Sequence, residues 1–395
     1  MLSKRVFLSI LILTVLSLKA ASFEQHPHWD EAIFTANLGV LDHDATTSHR
    51  AHFLGLYKPH RDVDIAARNA VKFYELPASV SHALPLHTMA ISASASKTTT
   101  LVELANLRSY PTSMIYDQGN EGSCTANSAA FDIRYLTARN STTPAIFDSS
   151  NRSVLAPSRN YHYYNTRYEE GVIIGDPTNV QGDNGASMFG SMLALDKYGT
   201  CPEAFSAAIN LEHGFTYRGW PYLDTQYATQ PDPESYRFAL DSNYSGLYTD
   251  TRSNPYRVVS QNLRYADLTS KYHKSNPATL NTSTEIASVI ADFRNALSRN
   301  TPIDIGIPVE QAFLNAPGGY VPMPALNGNF KPIGGHAISI VGHGPYKAGS
   351  TQNYFKFINS WGGTWGDHGY GYLPELYVAH INFFGIDAFA VDLLK

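Results

Sequence analysis

Three short segments of the chain carry groups that could act together. Gln118-Gly119-Asn120-Glu121-Gly122-Ser123-Cys124 supplies a thiol, Gly334-Gly335-His336 an imidazole, and Asn359-Ser360-Trp361-Gly362 a carboxamide beside an indole. Each residue alone has an ordinary explanation, since buried cysteines and hydrogen-bonded core histidines are common. A thiol, a base and an orienting amide in that chain order point instead to nucleophilic acyl transfer, in which sulfur attacks a carbonyl and the imidazole moves the proton.

A free thiol is mostly protonated at neutral pH, so a nucleophilic cysteine needs surroundings that favour the thiolate. Residues 125–138 contain no Pro or Gly, and they place Ile133 and Leu136 on an inward face, which predicts a helix with Cys124 at its positive end. His336 can pair with the sulfur as an imidazolium. Asn359 can accept the proton of the other ring nitrogen and fix both tautomer and ring rotation.

These segments resemble the papain-like cysteine peptidases. The likeness runs from about Leu107 to the C-terminus, through Asp117-Gln118-Gly119, Asn184-Gly185-Ala186 and Gly342-His343-Gly344. It looks most similar to a largely bacterial branch, in which Gly122-Ser123-Cys124 is followed by Thr125-Ala126-Asn127. Pro157-Ser158-Arg159, Gly199-Thr200-Cys201-Pro202-Glu203 and Trp220-Pro221-Tyr222 are also similar to that branch.

The resemblance implies an α+β fold with a helical lobe, a β-barrel-like lobe and an active site in the cleft between them. It implies peptide-bond hydrolysis without a cofactor, with Cys124, His336 and Asn359 catalytic and Gln118 joining the Cys124 N–H as oxyanion donor. A loop glutamine is ordinarily just a solvated side chain, and only the spacing of Gln118 to Cys124 reverses that reading. Asn184, Gly185, Ala186, Gly335 and Trp361 are the implied substrate-binding positions, with Trp361 also covering the His336–Asn359 hydrogen bond. Residues 184–186 equally suit a helix start, with Asn184 or Asp183 as N-cap before a helix over 186–198 closed by Gly199. A Cys–His amidase or transamidase would use similar parts, but it more often orients its histidine with Asp or His. A non-catalytic binding protein on this fold would ordinarily have lost Cys124, His336 or Gln118, and all three are present.

Composition fits this class. The 395 residues are 43% hydrophobic and 16% charged, and 34 acidic against 29 basic residues give a formal net charge of −5, which argues against a nucleic-acid partner. The 25 tyrosines are not diagnostic. His and Cys do not cluster at metal-ligand spacings outside the first hundred residues, so no metal is expected.

Lys4 and Arg5 precede an apolar run over 6–18, too short to span a bilayer, and Ala20, Ala21 and Ser22 follow it; residues 1–22 read as a signal peptide. Only Cys124 and Cys201 are present, so the disulfides usual in the family are impossible. Cys201 reads as a buried small hydrophobe, with a regulatory disulfide to Cys124 as the alternative.

Residues 23–100 read as a pro-segment and linker that inhibits its own enzyme, with an amphipathic helix over 62–76 stopped by Pro77 and a Ser/Ala/Thr-rich linker over 92–100. His26, His28, His43, His49, His52, His60, His82 and His87 lie in this leader. They are either a solvated polar surface or a switch loosened by acid, with metal capture a third possibility. The peptidase domain would occupy 101–395, with an insertion over about 224–277 that lengthens the Cys124-to-His336 separation beyond the ~130–150 residues common in the family.

Ile286, Val289, Ile290, Phe293 and Leu297 recur at helical spacing after an expected cap at Ser283. Strands are expected over 303–309, 336–341, 354–359 and 370–373. His336 would stand where a loop meets the sheet, and His343 would lie in an exposed Gly-His-Gly turn. His162, His213, His273, His368 and His380 have no partner motif, so a surface or packing role is expected for each.

Overall fold

The computed structural model describes residues 101–105, 107, 115–140, 156–176, 178–203, 219–223, 225–240, 262–276, 279–327, 329–345 and 352–393. The expected signal peptide, leader helix and linker lie outside the described residues, as does His213.

Helix α1 (Cys124–Asn140) runs through the middle of the molecule. Ala126, Ala129, Phe131, Ile133, Tyr135 and Leu136 are all buried, so the helix is enclosed on nearly every side. Helix α2 (Arg159–Ile174) starts at Ser158, whose hydroxyl accepts from Tyr161 N, and stops at Gly175 in the left-handed conformation.

Helix α3 (Met188–Tyr198) begins two residues later than 186, with Ser187 as N-cap in place of Asn184 or Asp183. Gly185 has φ 79°, which ends any helix there, and the Ser187 hydroxyl takes the Gly190 amide. Helix α4 (Pro233–Leu240) lies within the stretch read as an insertion. Its Phe238 and Ala239 pack with Tyr161 and Cys201 in a second apolar cluster.

Among the described residues seven strands form one antiparallel sheet. They are β1 (Val102–Glu103), β2 (Leu263–Asp267), β3 (Ile303–Val309), β4 (Gly334–Pro345), β5 (Asn353–Ile358), β6 (Tyr370–Pro374) and β7 (Asp387–Leu393). The order is β2-β7-β3-β4-β5-β6, with β1 beside the far end of β4. Sequence periodicity missed β1, β2 and β7. Strand β2 lies inside the stretch read as an insertion, yet it pairs with β7 from Leu263–Leu393 to Asp267–Phe389.

Helix α5 (Ser283–Ser298) is capped by Thr282 rather than Ser283, through a capping box with Glu285. Its Val289, Phe293 and Leu297 are buried against the sheet, while Ile286 and Ile290 are partly buried. A buried side chain of this size contributes about 1.5–3 kcal/mol.

His343 is not in an exposed turn. Strand β4 continues to Pro345, and His343 pairs with Val102 on one side and Phe355 on the other, 7% exposed. Gly342 is a glycine because β1 crosses close by: a Cβ there would lie 2.6 Å from Val102 O. Burial accordingly lowers the His343 pKa to about 4. His162 and His380 are buried too, His273 pairs with Asp387, and His368 occupies a positive-φ turn.

The architecture is α+β and papain-like, with helices α1–α4 on one side and the sheet with α5 on the other. Helix α1 packs on β3, β4 and β7 as well as on α2 and α3. Helix α1 is thereby packed along β4, the strand that carries His336.

Candidate active site

Cys124 is the first residue of α1 and is completely buried. The turn before it is held by Asn127, whose N donates to Ser123 O at 3.0 Å and whose Nδ2 reaches the same oxygen at 2.9 Å. No disulfide joins Cys124 to Cys201, which is buried among the tyrosines of the second cluster.

His336 sits on β4 opposite Ile307 of β3, also completely buried. Its Nε2 lies 2.8 Å from Asn359 Oδ1. The same oxygen accepts from Ser360 N at 2.8 Å, and a backbone N–H can only donate, so the atom facing the ring is the acceptor. His336 Nε2 must therefore carry a proton. In the neutral ring that leaves Nδ1 as the basic nitrogen.

Trp361 lies on the imidazole, with ring centroids 4.5 Å apart and planes at 28°. Phe313 meets the same ring edge-on at 5.8 Å, and Trp365 stands perpendicular to Trp361. The His336–Asn359 hydrogen bond is buried beside this aromatic wall. Asn127 and Ser128 of α1 face Ala337 and Ile338 of β4 across a cavity of about 10 Å³ that Asn359 and Ser360 also line. That is room for roughly one water.

Gln118 is fully buried and doubly tied to the Asn359 loop: its N donates to Ser360 O at 2.8 Å, and its Oε1 accepts from Ser360 Oγ at 2.5 Å. Its Nε2 donates to Glu121 O at 2.9 Å. Gly362 N to Tyr116 O and the Asp117–Trp361 bridge extend this pairing, so the loop before Cys124 and the loop after β5 form one ribbon.

A second layer behind the loop was not singled out as functional from sequence, although its residues fall in segments noted for resemblance. Arg159 Nη1 donates to Asp117 O at 3.1 Å and to Asn127 Oδ1 at 2.9 Å, its Nε pairs with Glu203 at 2.6 Å, and its guanidinium lies 3.6 Å over the Tyr222 ring. Tyr222 OH donates to Gln118 O at 2.9 Å and meets Ser123 Oγ at 2.7 Å. Asp183 accepts Gly122 N at 3.0 Å on each oxygen and Tyr163 OH at 2.6 Å. These contacts fix the backbone from Asp117 to Ser123. Glu121 is fully buried, and burial, then the nearby Asp183 charge, raises its pKa to about 8 against the opposing influence of the Ser123 hydroxyl.

Of the expected substrate-binding positions, Asn184 is exposed, and Gly185 N donates to Tyr163 OH at 3.1 Å. Ala186, Gly335 and Trp361 are buried, with Gly335 paired to Pro308 in the sheet. Among the described residues no group of three or more His, Cys, Asp or Glu could hold a metal ion, and no helix is long and apolar enough to cross a membrane.

Residues 232–382 match the family model described as papain family cysteine protease. An uncharacterized peptidase C1-like protein of Acanthamoeba polyphaga mimivirus is 27% identical over 271 residues, which are 67% of this chain and 66% of that protein. The matched region is thus just under two thirds of that relative. The crystal structure of xylellain, a cysteine protease from Xylella fastidiosa, superposes with a TM-score of 0.53 at 21% identity, covering 89% of this chain and 99% of that one. At that identity the likeness is one of fold.

Proposed function

For a chain that is papain-like in fold and matches the papain family model over residues 232–382, we propose a cysteine peptidase that hydrolyses peptide bonds through Cys124, His336 and Asn359. The observation that carries this is the 2.8 Å contact between His336 Nε2 and Asn359 Oδ1, which in the neutral ring leaves Nδ1 as the basic nitrogen for proton transfer.

The N-terminus of α1 stabilises a sulfur anion, and His336 as imidazolium completes the ion pair. Sulfur attacks the scissile carbonyl, and the oxyanion is held by the Cys124 N–H and the Gln118 amide. His336 protonates the departing amine, leaving a thioester. Water deprotonated by His336 then releases the acid and regenerates the thiol.

Asn184, Gly185, Ala186, Gly335 and Trp361 are the positions beside which an extended peptide would lie. The N-terminal residues supply a signal for export and an inhibitory pro-segment ending near residue 100. An amidase or transamidase built on a histidine oriented by Asp or His is disfavoured by the Asn359 partner. A binding protein with no activity is separated by turnover itself.

The test compares His336→Ala and Asn359→Ala in protein lacking residues 1–100 on a mixed peptide library. His336→Ala should abolish hydrolysis, and Asn359→Ala should lower kcat less, because it orients the base without transferring a proton. Equal activity in wild type and His336→Ala would rule the mechanism out.

A further inference from the structure

The helix that begins at Cys124 meets the strands that position His336 through two carboxylic acids. Ser128 lies one turn and Asp132 two turns along α1 from Cys124, so all three share a helix face. On the sheet, Asp304 of β3 and Ser339 of β4 are direct cross-strand partners in the ladder that also pairs Ile307 with His336. The hydrogen bonds cross between the layers. Ser128 Oγ donates to Asp304 Oδ1, and Ser339 Oγ donates to Asp132 Oδ1.

Both acids and Ser339 are fully buried, and Ser128 is 5% exposed. Each acid has one oxygen satisfied by a hydroxyl, while its Oδ2 is buried with no hydrogen-bond partner. Two ionised carboxylates would have too few donors for buried charges and would repel each other. A single proton between the two Oδ2 atoms would give one a donor and the other an acceptor.

We propose that Asp132 and Asp304 share one proton across the interface between α1 and the sheet, and that this pair positions the Cys124 helix against the His336 strand. As a claim about catalysis it rests on the cysteine peptidase reading. As a claim about the interface it does not.

The direction of proton affinity agrees. Burial raises the Asp132 pKa well above its ordinary value, with the Asp304 charge as the next cause, and burial pushes Asp304 up to about 7. Among the described residues no Lys, Arg or His on the elements packed around α1 and β3 acts on either acid; the other influences on them are the Ser339 and Ser128 hydroxyls and the Ile305 amide. An acid with a raised folded pKa gives stability that is full below its unfolded value near 3.9 and is lost as pH rises through the folded value. The loss therefore begins near pH 4 and runs through about 7, where Asp304 ionises, while Asp132, also raised, holds the remaining proton. Once that proton leaves to solvent, two negative charges face each other and the helix is pushed from the sheet.

The experiment uses the full chain and its Asp132→Asn and Asp304→Asn variants. Asparagine keeps the shape and brings its own N–H donor, so the contact no longer needs a proton. The unfolding midpoint is measured from pH 4.5 to 8.5, together with the pH profile of Cys124 alkylation by iodoacetamide. Contributions from Glu121 and Glu170 are common to all three proteins and cancel in the difference between wild type and variant.

That difference should fall steadily with rising pH, by about one proton's worth of slope, and the alkylation profile of the variants should shift. Parallel midpoint curves, or variants weakened equally at every pH, would overturn the proposal. Should the asparagine variants fail to fold, Ser128→Ala gives the complementary reading. Losing the hydroxyl that stabilises the charged form of Asp304 should move the pH-dependent loss to higher pH, and an unmoved transition would also overturn it.

Discussion

Ser360 Oγ donates to Gln118 Oε1 at 2.5 Å, and Gln118 N donates back to Ser360 O at 2.8 Å. Residues far apart in sequence are thereby locked side by side, one next to the asparagine that is hydrogen-bonded to His336 and the other in the expected oxyanion loop. With its oxygen occupied by the Ser360 hydroxyl, the Gln118 amide must present its N–H₂ side to Glu121 O and the region before Cys124.

Gln118→Ala should lower kcat by about two to three orders of magnitude, the usual loss for one oxyanion donor. Ser360→Ala keeps the donor but releases its orientation and leaves a buried oxygen unsatisfied, at about 1–3 kcal/mol. It should reduce kcat by a smaller factor with little change in KM. Steady-state kinetics on a single peptide substrate checks both, and a pure KM effect in either variant would contradict the assigned roles.

His162 sets an acid limit on stability. Its Nε2 lies 2.8 Å from Ser191 Oγ, and burial lowers its pKa to about 3. A histidine whose folded pKa is depressed gives stability that is present above its unfolded value near 6.5 and is lost as pH falls toward the folded value. His162→Gln keeps a polar partner for Ser191 and cannot be protonated in that range. Its unfolding midpoint should fall less between pH 6.5 and 4 than that of wild type, and identical acid slopes would refute the assignment.

Gly190 leaves room for the acid that holds Ser187, the N-cap of α3. Glu170 Oε1 accepts Ser187 N and Ser187 Oγ at 2.6 Å each, and a Cβ on Gly190 would lie 2.4 Å from that same oxygen. Gly190→Ala should cost about 1–3 kcal/mol as an overpacking substitution, despite the better helix propensity of alanine. Denaturant unfolding measures it, and a stabilised variant would show that the cap can shift without cost.

Local pattern made part of this legible from sequence. The helix after Cys124 follows from an uninterrupted run of helix formers, β3 has the expected bounds because every residue of it except Asp304 lacks a polar side chain, and Trp361 stacks on the His336 ring. The misses depend on distant partners. Strand β2 is a strand because β7 is available to pair with it, and His343 is buried because β1 crosses Gly342. Arg159, Tyr222 and Asp183 were visible only as segments of a resemblance, since nothing local tells that they converge on one loop. The cap of α3 moved to Ser187 because Gly185 takes a positive φ, a choice the Asn184-Gly185 pair permits but does not dictate.

The central claim is that Cys124 is the nucleophile. Its most direct test is stoichiometric labelling of protein lacking residues 1–100 with iodoacetamide, with the modified residue located by peptide mapping and peptide hydrolysis followed in parallel. One label should appear at Cys124, activity should vanish in step with it, Cys124→Ala should be inactive, and Cys201, buried among Tyr161, Phe238 and Ala239, should remain unmodified. Labelling at Cys201 first, or undiminished hydrolysis in Cys124→Ala, would contradict the account.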